Sequence, residues 1–183
     1  MKKIMFNDKY FLTQAVLERK KTMTRRIVPA ADAIICVSDI KTNKTFEQII
    51  LDRATYKIGE IVAIAQDYEQ IIEDMSAYIP IKFFYSKGYK NKMFVRAENM
   101  PHHIKIINIR MEYLQDISNE DCLKEGILKL HMCYVFQERL KKIYNYVLDS
   151  PRDAFKILID KMSGKGIWDR NPLVYVYEFE LID

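Results

Sequence analysis

Phe11, Ala15, Val16 and Leu17 recur near helical spacing just after Asn7 and Asp8, either of which can cap an N-terminus, and the pattern predicts a helix over 9–19. Met23 and Ile27 then alternate with threonines and arginines, which reads as a short strand ended by Pro29. Residues 34–37 suit a strand and 46–51 a short helix, with polar turns around 41–44. Tyr56-Lys57-Ile58-Gly59-Glu60 reads as a turn leading into the unbroken apolar run 61–65, the mark of a buried strand. Further strand-like runs lie at 81–85, 93–96 and 104–111; the last is partly apolar on both faces, as in a barrel wall or between layers.

Ser118-Asn119-Glu120-Asp121 has the form of a capping box, and Gly126 stands where a left-handed residue would close the short helix near Glu125. Residues 134–147 and 151–162 read as helices, the second with Ser150 as cap, Pro151 in its first position and Gly164 beyond its end. A strand over 173–181 closes the chain. Strands surrounding a helical insertion before the last strand define an α+β fold, not alternating parallel βαβ units.

The chain has 183 residues, 29 basic and 25 acidic, a net charge of +4, and 49% hydrophobic residues, which fits a single domain over 1–183 with its own core. No apolar run approaches the roughly 18 residues that span a bilayer, and Asn7, Asp8 and Lys9 interrupt any leader-like region, so a cytoplasmic protein without membrane partner is expected. Cys36, Cys122 and Cys133 are odd in number and widely spaced, which argues against a disulfide framework. His131 and Cys133 lack partners at metal-binding spacing, and the zinc deaminase signature is missing, so neither metal nor cofactor is expected. Gly164-Lys165-Gly166 lacks the frame of a phosphate-binding loop, no GxGxxG follows a strand, and no GxSxG is present.

Four blocks in order resemble the ASCH domain family of the PUA-like superfamily. They are Ile4-Met5-Phe6-Asn7 with Leu17-Glu18-Arg19-Lys20-Lys21-Thr22-Met23-Thr24-Arg25-Arg26; Tyr56 to Ile61; Asn99-Met100-Pro101 through Leu114-Gln115-Asp116-Ile117-Ser118 to Glu125-Gly126-Ile127; and Trp168-Asp169-Arg170-Asn171-Pro172-Leu173-Val174-Tyr175-Val176-Tyr177-Glu178-Phe179. The last two are most similar to ASCH-like proteins of phage and prophage genomes. The resemblance implies a PUA-like mixed β-barrel flanked by helices, with 30–55 and 127–150 as elaborations of this chain. Three departures stand out: no Gly precedes Arg19-Lys20-Lys21, Ala65-Gln66 stands where relatives often carry Arg-Glu, and His102-His103 follow Met100-Pro101 in place of Arg-Trp.

The resemblance also implies a site. One branch of the family removes the acetyl group of N4-acetylcytidine with a Lys, a Thr and a Glu, positions that fall on Lys21, Thr24 and Glu125 here. A Thr hydroxyl needs a base, and Lys is one only when burial or neighbouring cations depress its pKa. Lys20, Arg25 and Arg26 supply such cations. On one regular strand Lys21 and Thr24 would face opposite ways, so the strand must begin between them. The same basic residues also read as a solvated edge that blocks strand pairing.

A second expectation is binding without catalysis: PUA-like domains recognise RNA or modified nucleobases, with Arg19, Lys20, Thr22, Arg25 and Arg26 lining the cleft and Tyr68, Tyr85 or Tyr89 available for stacking. A net charge of +4 is weak for long nucleic acid and suits RNA in short single-stranded segments, a nucleotide or a nucleoside. A third is an interaction module of a phage or prophage, presenting Met132, Phe136, Leu140, Ile143 and Val147 as an apolar stripe. Trp168 reads as a plug for one barrel end, Tyr175 and Tyr177 as core, and His102 and His103 as loop surface.

Overall fold

A computed structural model describes residues 1–32, 34, 44–75, 80–137 and 148–183. Its centre is a five-stranded mixed sheet in the order β1 (Lys3–Ile4), β3 (Ile61–Ile64), β4 (His103–Tyr113), β7 (Leu173–Leu181), β2 (Met23–Ile27). Only the β1/β3 pairing is parallel; the others run antiparallel. β4 and β7 share the longest register, from Ile104 opposite Leu181 to Tyr113 opposite Leu173, broken by an irregularity between Ile106 and Asn108.

β1 and β2 are the two edges. Laid flat, five strands would hold them about 19 Å apart. Yet the Arg26 guanidinium on β2 donates to the backbone carbonyl of Met5, the residue after β1, so the sheet is curled until one side chain spans the gap. No strand pairing closes this seam among the described residues, and the barrel expected from the resemblance is present only as a curled open sheet. The α+β class is as expected.

The core covers both faces of the sheet: by register Ile4, Val62, Ile64, Ile104, Ile106 and Phe179 share one face and Met23 and Val176 the other, and all belong to one cluster with Val16, Phe155 and Leu158. Tyr175 and Tyr177 are core as expected, and each hydroxyl is used: Tyr175 donates to the Ile50 carbonyl and Tyr177 accepts from the Thr55 N–H. Trp168 is buried edge-on to Phe155, with Arg152 over its ring.

The first helix is shorter than its pattern. Asn7 caps a single 3₁₀ turn over Asp8–Tyr10, Phe11 turns left-handed at φ 54°, and α1 runs only over Leu12–Leu17. α2 (Phe46–Asp52) carries a reciprocal Thr45/Gln48 capping box. α3 (Tyr68–Met75) was not expected, although Asp67 and Gln70 bond each other's backbone N–H as a box would. The strands expected at 81–85 and 93–96 are 3₁₀ turns, Ile81–Phe83 and Lys92–Phe94. Among the described residues no strand lies alongside to pair them; at the second, the Lys3 ammonium gathers the carbonyls of Lys92, Met93 and Val95 at 2.7–2.9 Å. This segment and α3 enclose a second, smaller core around Tyr68, Ile71, Val95 and Met100.

α4 (Asn119–Lys124) starts on Ser118, whose hydroxyl accepts the Asp121 N–H, and ends at Gly126 with φ 105°. β5 (Leu128–Leu130) and β6 (Cys133–Val135) then form a hairpin where a helix from 134 was expected; residues 138–147 of that helix lie outside the described residues, as do 35–37 of the strand expected at 34–37. His131 takes the left-handed turn position at φ 50°. The hairpin divides the proposed apolar stripe, since Met132 is exposed at its tip while Phe136 is buried. α5 (Pro151–Ser163) and α6 (Ile167–Arg170) complete the chain before β7.

Candidate functional site

The seam between β1 and β2 opens into a cleft of about 550 Å³, within the range of small-ligand sites. Its floor is Lys21, Thr24, Arg25 and Glu125. One wall is Met5 to Lys9, the second is Asn91 to Met93, and the third is the stripe Phe155, Ile159 and Met162 on α5.

Local structure puts the floor together. After α1 the amides of Lys20 and Lys21 both return to the Ala15 carbonyl, and Arg19 sits at φ 58°. The strand therefore starts at Met23, after Lys21 and before Thr24, and both side chains line the cleft. Glu125 comes from the other side, as the residue that caps the C-terminus of α4. The Thr22 N–H bonds the Lys124 carbonyl at 3.0 Å, stitching the two segments.

Lys21 is 2% exposed and Glu125 4%. The Lys21 ammonium donates to the Glu125 carboxylate at 2.5 Å and to its backbone carbonyl at 2.8 Å, and lies 5.9 Å from the Phe6 ring centre. Burial pulls the Lys21 pKa below its ordinary value; the Glu125 charge opposes the shift, and Arg26 and Arg25 reinforce it.

Arg25 behaves differently. Its Nε and Nη2 reach Glu112 at 2.8 and 2.6 Å, Nη2 also reaches Asp121 at 2.9 Å, and Nη1 reaches Glu125 at 3.1 Å and the Met23 sulfur at 3.2 Å. All five N–H donors of the guanidinium are thus committed inside the protein. Burial would lower its pKa, but Glu125, Glu112 and Asp121 outweigh that and hold it above the ordinary value. The network continues through Asp121 and Glu112 to Arg110, which also pairs with Glu178. Arg25 was expected as a ligand contact; its donors leave it the role of holding Glu125 in place.

Of the remaining expected residues, Arg26 is exposed at the cleft mouth. Arg19, Lys20 and Thr22 do not line the cleft. Arg19 donates to the Leu181 carbonyl at 2.8 Å, Lys20 pairs with Glu18 at the surface, and Thr22 accepts the Phe179 N–H on its carbonyl. Thr24 is buried, and its hydroxyl makes no hydrogen bond among the described residues. His103 meets the Asp183 carboxylate at 2.8 Å, away from the cleft.

Sequence reasoning passed over Asp8, Lys92, Glu112 and Asp121. Lys92 binds the Phe6 carbonyl at 2.6 Å and Asp8 at 2.7 Å, tying two cleft walls. Glu112 had a signal: charges at 110 and 112 interrupt a strand whose earlier positions 104 and 106 are fully buried. Asp121 was visible only as a capping residue. Cys122 is buried, and desolvation pushes its thiol up to about 12, so it offers no nucleophile. Among the described residues no group of three His, Cys, Asp or Glu side chains is placed to hold a metal ion, and no helix is long and apolar enough to cross a membrane.

No family model and no curated protein matches the chain. It is similar to a crystal structure of a protein from Enterococcus faecalis V583 described by the family model DUF984, with 13% identity, a TM-score of 0.38 and coverage of 94% of this chain and 67% of that one.

Proposed function

We propose that the seam cleft takes a nucleobase, as a nucleoside or nucleotide, and that the curled sheet is a PUA-like barrel left open where the ligand enters. The reading is carried by the hydrogen-bonding capacity left over at the floor. Lys21 has three N–H donors, of which two are used on Glu125. Each Glu125 carboxylate oxygen accepts one bond from the protein, from Lys21 and from Arg25, and keeps a lone pair. Thr24 adds a hydroxyl. Adjacent donors and acceptors in a fixed array match the polar edge of a base, and Phe6, Leu12 and Phe155 line the same cleft with apolar surface for its faces. Arg26, at the mouth, suits a phosphate.

A specific observation favours a second reading, hydrolysis of an N4-acylated cytidine. Thr24 has an uncommitted hydroxyl in the cleft that holds a lysine whose neutral form burial favours. In that reaction Thr24 Oγ bonds to the acyl carbon as Lys21 takes its proton. The C–N4 bond breaks and the proton passes to the departing amine. Water then cleaves the Thr24 ester, releasing the acid.

Calorimetric titration with cytidine, cytidine monophosphate and N4-acetylcytidine tests both. Binding by the wild type that weakens at least tenfold in Lys21→Ala and Glu125→Gln supports the site; absence of heat from folded wild type overturns it. Release of cytidine from N4-acetylcytidine, lost in Thr24→Ala, selects the hydrolase.

A further inference from the structure

We propose that a hollow beside the cleft is a second nucleotide subsite, so that the ligand is a single strand of nucleic acid with one nucleoside in the cleft. This rests on the reading of the cleft given above.

The first support is the distribution of charge. Residues 80–100 carry Lys82, Lys87, Lys90, Lys92 and Arg96 against one carboxylate, Glu98. That excess of four equals the net charge of the whole chain, so the other 162 residues are balanced. The same segment holds Phe83, Phe84, Tyr85, Tyr89 and Phe94. Large rings normally retreat from water, yet Tyr85 is 87% exposed and Phe94 57%. Cations set among exposed rings are the surface on which single strands stack their bases and neutralise their phosphates.

The second support is shape. A hollow of about 380 Å³ is lined by Tyr68, Phe83, Phe94, Lys87, Arg96 and Asn99, among others. Its parts are fixed: Tyr68 packs on Phe83 with ring centres 4.5 Å apart, and Asn99 donates to the Tyr68 hydroxyl at 3.1 Å. Gly88 is required for this floor, because a Cβ there would stand 2.8 Å from the Tyr68 ring. The Lys87 ammonium lies 5.7 Å from the centre of the Phe94 ring, and neither Lys87 nor Arg96 forms an ion pair among the described residues. Both are exposed at the rim of an aromatic hollow, where a nucleotide brings a ring and a phosphate together. A flat bilayer would leave such a concavity unfilled.

The third is continuity. Asn91, Lys92 and Met93 line the cleft, while Phe94 and Arg96 line the hollow. The two sites lie on either side of one 3₁₀ turn, Lys92–Phe94, held by Lys3. A strand crossing that turn fills both.

Fluorescence anisotropy of labelled octacytidylate, as the ribo and deoxyribo strand, tests the assignment on the full chain. Binding of either strand supports it, and the tighter of the two names the source. Lys87→Gln with Arg96→Gln is expected to weaken binding at least tenfold and to lower the salt slope by about 1.4, for two lost phosphate contacts. Phe94→Ala is expected to cost about fivefold or more, the loss of one stacked base. All three side chains are exposed, so these variants fold. Unchanged affinity in both variants, or phosphatidylserine vesicles bound in preference to either strand, overturns the subsite. Failure of the cleft reading looks different: free cytidine does not bind the wild type, while the strand still binds and still depends on Lys87 and Arg96.

Discussion

Lys21 is an ammonium placed where almost no water reaches it, and Glu125 is the reason it is tolerated. The partnership is stricter than a surface ion pair, because removing one member leaves a buried charge uncompensated. Glu125→Leu is therefore expected to destabilise the fold by about 3–5 kcal/mol. Lys21→Met added to it is expected to restore part of that loss, since no lone ammonium then remains and Arg25 keeps Glu112 and Asp121. Urea unfolding of the two single variants and the double measures the coupling. Costs that simply add would show that the two groups do not depend on each other. The Lys21 and Glu125 charges were readable as candidates, but the bonding of Arg25 was not. Its three carboxylate partners lie 87, 96 and 100 residues away, and no local pattern announces that five donors will be satisfied at once.

At the scale of elements, the turn from α4 into the hairpin decides where Glu125 points. Gly126 follows it at φ 105°, and a Cβ there would meet Leu12 at 3.0 Å. Gly126→Ala is expected to cost about 1–3 kcal/mol, the usual range for a strained backbone residue, and to weaken nucleoside binding as Glu125 shifts. Thermal unfolding and the cytidine titration check the two effects; full stability would mean that the turn is not constrained as described. Elements such as α4, α5 and β7 could be read from the chain because their signals are local: a capping serine, a proline at the first helical position, the β-branched and aromatic run Val174 to Tyr177. The runs at 81–85 and 93–96 misled for the complementary reason. Only Phe83 and Val95 reach the satellite core, Lys3 takes the carbonyls around the second run, and most of the other apolar side chains stay exposed, so the composition of a strand is present without a partner strand among the described residues. The hairpin at 128–135 was hidden by the helical spacing of Met132 and Phe136, which its turn places far apart in exposure.

For the whole molecule, the curl of the sheet is what turns a row of ordinary residues into a site. β1 and β2 lie at opposite ends of the strand order, yet Met5 and Arg26 meet across the seam, and the cleft is the space they leave open. Of the basic, aromatic segment at 80–100, Asn91 to Met93 line this cleft, and Phe83, Lys87, Phe94 and Arg96 line the hollow. The order of the family-like blocks made the helix-to-strand segment and the Glu125 turn visible in advance; the closeness of the two sheet edges was not, because it depends on accumulated curvature. The most direct measurement is a titration of ¹⁵N-labelled protein with cytidine, following backbone amide shifts. The largest movements are expected at Thr24, Arg25, Glu125 and Gly126 on the floor and at Asn7 and Met93 on the walls. Saturation with those amides unmoved, or no movement anywhere at millimolar nucleoside, would contradict it.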